Sequence, residues 1–121
     1  MPKLKTYKEL IVWQKSVTIV EHVYTLTKNF PKDEIYGLTS QMRRAAISIP
    51  SNIAEGWSRE TRGDFAYFLR IARGSSSELE TQLEISQRLT LITDTRYNEV
   101  SELLSEVSRM LNAILRKLPN R

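Results

Sequence analysis

The sequence predicts an all-α protein, an antiparallel up-down four-helix bundle, and three observations predict it. Four segments repeat apolar residues at alternating steps of three and four, the period of one stripe on a helix. The links between them are short, roughly 30–33, 57–61 and 92–95, and short links make successive helices antiparallel neighbours. No strand pattern interrupts them, because Ile47-Ser48-Ile49 is too short to count. The expected helices span approximately 6–29, 33–57, 61–91 and 95–118 of one domain over 1–121.

Helix one is expected to start at Thr6, where Thr6-Tyr7-Lys8-Glu9 spells a capping box. Leu10, Trp13, Val17, Val20 and Tyr24 then form its stripe, and Phe30-Pro31 ends it. Asp33 is the expected N-cap of helix two, with Ile35, Leu38, Met42, Ala45 and Ile49 facing inward. Pro50 lacks an N–H and presses on the Ala46 carbonyl, so a kink is expected there before Ile53, Ala54 and Trp57 resume the stripe.

Helix three is expected from Thr61, with Phe65, Phe68, Leu69, Ala72, Ser76, Leu79, Leu83 and Ser86 facing in. Gly74 falls in its middle, where glycine costs about 1 kcal/mol relative to alanine. Close approach of a neighbouring helix, in the same chain or in another subunit, is the expected compensation. Helix four follows Thr93-Asp94-Thr95, any of which can cap. Its stripe is Tyr97, Val100, Leu103, Leu104, Val107, Leu111, Ile114, Leu115 and Leu118, and Pro119 closes the domain.

A chain of 121 residues can bury a core without staples. There is no cysteine, so neither disulfides nor thiolate metal sites are available. The start lacks an apolar signal-peptide core, and the apolar runs fall far short of the roughly 20 residues needed to cross a membrane. A cytoplasmic protein without membrane contact is therefore expected. The net charge is +4 and the pI about 9.5. Residues 40–75 carry six arginines against Glu55, Glu60 and Asp64, whereas residues 76–106 carry seven acids against Arg88 and Arg96. Segregated charge can mark a polyanion-binding face, and it also suits a solvated helical surface.

Catalytic machinery is not expected. The lone histidine, His22, lies off the stripe, which suits a surface position. No Glu-x-x-His pair, haem-attachment motif or phosphate loop occurs, and no arginine precedes His22 by four to six residues. Gly56-Trp57-Ser58 lacks the setting of a nucleophile elbow. Glu78, Glu80 and Glu84 raise the question of a metal, but Glu80, Glu84 and Arg88 step by four, as in a solvated ladder. No metal, cofactor or small-molecule substrate is implied.

The arginines suggest an interface. With Leu38, Met42, Ala45 and Ile49 facing in, Arg43 and Arg44 must point away from the core. Arg70 and Arg73 face out beside Tyr67, and Arg59 and Arg62 lie in the turn between the two helices. Guanidinium forks suit phosphate oxygens and a nearby aromatic can stack on a base. The same arginines could instead pair with Glu55 or Glu60, or bridge subunits. Surplus apolar residues, namely Ile11, Val12 and Ile19 on helix one and Ala46, Ile47 and Ile53 on helix two, are a separate hint of a partner.

The run from Tyr36 to Ala46, Tyr-Gly-Leu-Thr-Ser-Gln-Met-Arg-Arg-Ala-Ala, and Ser48-Ile49-Pro50-Ser51-Asn52-Ile53-Ala54-Glu55-Gly56 carry a resemblance. With Val12-Trp13-Gln14-Lys15, Asp64-Phe65, Phe68-Leu69, Gly74-Ser75 and Glu78-Leu79-Glu80-Thr81-Gln82-Leu83, the chain resembles a family first noticed in intervening sequences of bacterial large-subunit ribosomal RNA genes. The resemblance implies a four-helix bundle assembled as a ring-like homopentamer. A related branch serves diversity-generating retroelements as an accessory protein thought to bind RNA and the reverse transcriptase. Arg43 and Arg44 match the family motif. Trp57, Ser77 and Thr90 depart from it, since smaller or glycine residues are expected at 57 and 90 and an apolar one at 77. An oligomeric RNA-associated accessory protein is thus expected, with a protein-interaction scaffold as the alternative.

Overall fold

The computed structural model describes residues 4–120. Met1 to Lys3, part of the chain start considered above, and Arg121 lie outside it. Four helices, α1 (Ile11–Thr27), α2 (Ser40–Ser58), α3 (Arg62–Arg88) and α4 (Asp94–Leu115), form the bundle. α1 packs on α2 and α4, and α3 packs on the same two. Contacts between α2 and α3 run in opposite senses along the chain: Met42 Sδ lies 3.3 Å from Ser86 Oγ, and the Ser48 and Ser75 hydroxyls are 2.8 Å apart. α3 and α4 likewise run oppositely, with Gln87 bonded to Asp94 at one end and Arg62 to Lys117 at the other.

The helix ends show how the local signals were used. Thr6 caps a single tight turn, Tyr7–Glu9, rather than helix one itself. Its Oγ1 accepts from the Lys8 N–H, while Glu9 reaches back to accept from the Lys5 N–H at 2.6 Å. Leu10 is extended, and α1 begins afresh at Ile11. Asp33 is not the cap of helix two. It sits in a tight turn, and the Glu34 carboxylate accepts from the Leu38 N–H at 3.1 Å. Gly37, at φ −110° and ψ −114°, breaks helical geometry inside the wide turn Ile35–Thr39, so regular helix starts at Ser40. Pro50 lies within one α2 that is not restarted there. Thr61 and Thr93 cap α3 and α4, accepting from the N–H groups of Asp64 and Arg96.

The turn that closes α3 passes through Thr90, whose φ is +58°. The Leu91 N–H reaches the Ser86 carbonyl at 2.9 Å and the Thr90 N–H reaches that of Gln87 at 3.0 Å. This pair of bonds closes a helix around a left-handed residue, usually glycine. The turn therefore forms without the glycine expected at 90, at a cost of about 1–2 kcal/mol for a side chain held in the left-handed conformation.

The core joins all four helices. α4 buries Val100, Leu104, Val107, Leu111 and Leu115, and α3 buries Leu69, Ala72, Ser76, Leu79, Leu83 and Ser86, as their stripes predict. α1 differs. Its buried residues are Val12, Ser16, Ile19, Val23, Leu26 and Thr27, a face one residue out of phase with the expected stripe, and Tyr24 is exposed. One residue is a rotation of about 100° on a helix of 3.6 residues per turn. Ser16 makes this face buriable because its hydroxyl is satisfied by the Trp13 carbonyl at 2.9 Å. Ile35, expected to face inward, is also exposed. Val12, Ile19, Ala46 and Ile53 are core residues, so of the six surplus apolars only Ile11 and Ile47 remain exposed.

Candidate functional site

The six arginines of the α2–α3 hairpin divide into three groups by what surrounds them. Arg43 does not point freely outward. Its Nε donates to Thr27 Oγ1 at 2.8 Å, and its guanidinium lies 4.4 Å from the centre of the Tyr24 ring. Thr27 Oγ1 in turn donates to the Val23 carbonyl. The stripe shift in α1 explains this, because it turns Tyr24 and Thr27 towards α2. Arg44, one residue on, is exposed and has no partner among the described residues.

Arg59 is held within the hairpin. It pairs with Glu55 at 2.9 Å and covers the Phe68 ring at 5.0 Å. The neighbouring turn is tightly packed. A Cβ added to Gly56 would lie 2.9 Å from Phe68 Cβ, and Trp57 meets Phe65 edge-on at 6.2 Å. Trp57 thus belongs to the packing between α2 and α3 as well as to the turn.

Arg62, Arg70 and Arg73 gather against the end of α4. Arg62 donates to the Lys117 carbonyl, Arg70 to that of Pro119 at 3.3 Å, and Arg73 to Asn112 Oδ1 at 3.0 Å. Carbonyls beyond a helix end lack intrahelical donors, and cations are favoured there by the helix dipole. Arg70 and Arg73 also line an open cavity of about 520 Å³ together with Asn112, Arg116 and Asn120, completed by Leu115 and Leu118. Reading the sequence as two helices missed Arg116 and Asn112. The available signal was their spacing of four on helix four, within a tail that has no acid after Glu106.

Among the described residues, only Arg59 of the six is ion-paired with a carboxylate. Tyr67, expected beside Arg70 and Arg73 as a stacking surface, stands edge-on to Phe68 at 5.1 Å. The acidic half of the chain behaves as a solvated face, with Glu84 paired to Arg88 at 2.7 Å. Across the bundle, Lys15 bonds Glu106 at 2.8 Å. That hydrogen bond first, then the charges of Lys15 and Arg109, hold the Glu106 carboxyl below its ordinary range. His22 is half-buried, and no cluster of three acids or histidines suited to a metal occurs among the described residues. None of the helices described is long and apolar enough to cross a membrane.

One further surface stands out. Tyr67, Ile71, Ile85 and Leu89 lie on the outer side of α3, each between 36% and 56% exposed. Gly74 lies between them and has open space where a Cβ would be. Among the described residues no neighbour therefore closes on this glycine.

A family model described as 23S rRNA-intervening sequence protein matches residues 8–113. A solved structure from Bacteroides thetaiotaomicron, described as a protein with unknown function from the S23 ribosomal protein family, is similar at a TM-score of 0.82 and 27% identity. The similarity covers 88% of this chain and 99% of that one. No curated protein matches the chain.

Proposed function

Since the chain belongs to the 23S rRNA-intervening sequence protein family, we propose that it is a non-enzymatic, oligomeric accessory protein that binds RNA in the cytoplasm, where ribosomal RNA resides. The observation that carries this reading is the state of the hairpin arginines: Arg43, Arg44, Arg62, Arg70 and Arg73 have no carboxylate ion partner among the described residues. Guanidiniums without a counter-charge offer donors to phosphate oxygens. The contacts are divided by environment. Arg44 reaches phosphate freely, Arg70 and Arg73 offer their remaining donors, and Arg43 acts chiefly by tying α1 to α2.

The test is binding of labelled structured RNA, single-stranded RNA and duplex DNA across a salt series. Micromolar or tighter RNA binding is expected, with affinity falling steeply as salt rises because phosphate contacts release counterions. Arg44→Glu with Arg70→Glu should weaken it while leaving helix content unchanged. Undiminished binding by that folded double variant removes these arginines from the interface.

A second reading is a protein-interaction scaffold without direct nucleic-acid contact, and the outer face of α3 favours it. Exposed apolar residues flanking an uncovered glycine suit close contact with another helix. Under either reading this face joins subunits, with a homopentamer as the assembly that the family resemblance implies. Light scattering on wild type and on Ile71→Glu with Ile85→Glu decides the interface: a lower mass supports it, and an unchanged mass removes it.

A further inference from the structure

We propose that the cavity between α3 and the end of α4 is a discrete binding site for a phosphate group, held by Arg70, Arg73 and Arg116. The proposal rests on reading Arg70 and Arg73 as phosphate contacts, and it extends that reading to residues of helix four. Three guanidiniums line one cavity with two asparagines, and no Asp or Glu lines it among the described residues. The α4 terminus supplies only about half an elementary negative charge to such a site. Among the described residues three like charges around one space are therefore left without a full counter-charge, and an anion is the ligand that relieves their repulsion.

The donor set selects among anions. Each guanidinium carries five N–H donors in a planar fork. Arg70 uses Nη2 on the Pro119 carbonyl and Arg73 uses Nη1 on Asn112. Arg116 makes no side-chain hydrogen bond among the described residues. The remaining donors approach from both α3 and α4, which suits a tetrahedral group accepting on several sides better than a planar carboxylate. The Asn112 and Asn120 amides add neutral donors and acceptors able to hold a group attached to the phosphate. At about 520 Å³ the space exceeds a bare ion and falls within the roughly 300–1,000 Å³ of small-molecule sites. Either a free phosphate-bearing molecule or a phosphate of an RNA strand supplies this chemistry.

The experiment titrates the full chain, labelled with ¹⁵N-arginine, with inorganic phosphate while the Nε–H signals are followed by NMR. Arg116→Gln and Arg73→Gln are run in parallel, with circular dichroism to check folding. Arg116 is exposed and beyond the α4 helix, so its replacement leaves the core intact. A saturable response is expected, weakened about tenfold or more in Arg116→Gln, as for loss of a charged hydrogen bond. No saturable response, or one unchanged in both variants, overturns the site.

Labelled RNA is then competed with phosphate. Displacement supports the site and makes the strand the source of the group. Phosphate binding without displacement supports the site, makes a free molecule its occupant and removes Arg70 and Arg73 from the RNA reading. RNA binding with no phosphate response overturns the cavity site and leaves the broader RNA reading standing.

Discussion

The inner and outer faces of α3 carry similar side chains and meet opposite surroundings. Leu69, Ala72, Leu79 and Leu83 are sealed against α2 and α4, whereas Tyr67, Ile71, Ile85 and Leu89 stand in the open. Gly56 and Gly74 of the α2–α3 hairpin sharpen the contrast: a Cβ at Gly56 would collide with Phe68, and one at Gly74 would touch nothing among the described residues. An apolar residue or a glycine in a helix therefore announces a neighbour without saying which chain supplies it. The inner face is what makes this chain fold, and the outer face is what remains available after folding.

Breaking the inner face should have the largest effect. Leu79→Ala is expected to destabilise the protein by about 2–5 kcal/mol, from lost burial and the cavity left behind. Urea unfolding measures it, and a loss under 1 kcal/mol would mean the site collapses around the gap. Gly56→Ala comes next. Overpacking against Phe68, partly offset by better helix propensity, should cost about 1–2 kcal/mol. The matched substitution outside, Gly74→Ala, should change sign and stabilise the folded chain by about 1 kcal/mol. If both alanines act alike in thermal unfolding, the distinction between the two faces fails.

The smallest effect lies at the Lys15–Glu106 pair, which ties α1 to α4 at the surface. Because the folded carboxyl titrates below its ordinary value, its contribution is complete above that ordinary value and is lost as pH falls through the lowered one. The stability difference between wild type and Glu106→Gln should accordingly be small at neutral pH and vanish in acid. A difference that persists in acid would separate Glu106 from this titration.

What could be read in the sequence follows the same division between local pattern and neighbour. The inner stripes of α3 and α4 were legible because leucines recur along each, at Leu69, Leu79 and Leu83 and at Leu104, Leu111 and Leu115, and Thr61 and Thr93 cap the two helices through short side chains beside the helix start. α1 was misread because it has two stripes one residue apart, and the buried one contains Ser16. A serine looks polar in a periodicity count, yet at zero exposure it serves as a small core residue once its hydroxyl bonds the preceding turn. That single rotation also decided Arg43, which no property of α2 alone could place beside Tyr24 and Thr27. The hairpin arginines were found by composition, but their sorting was not. Arg62, Arg70 and Arg73 meet carbonyl or amide groups 39 to 55 residues away, and a local reading cannot see such partners.

Thr90 gives the link between the last two helices a character in time. The Thr90 and Leu91 amides close their turn on a backbone that a β-branched residue adopts reluctantly, so opening that turn releases strain as well as breaking hydrogen bonds. In hydrogen exchange these amides should follow a local opening rather than global unfolding. The slow amides of α3 and α4 are thus joined through a fast one, and Thr90→Gly is the change that would slow it.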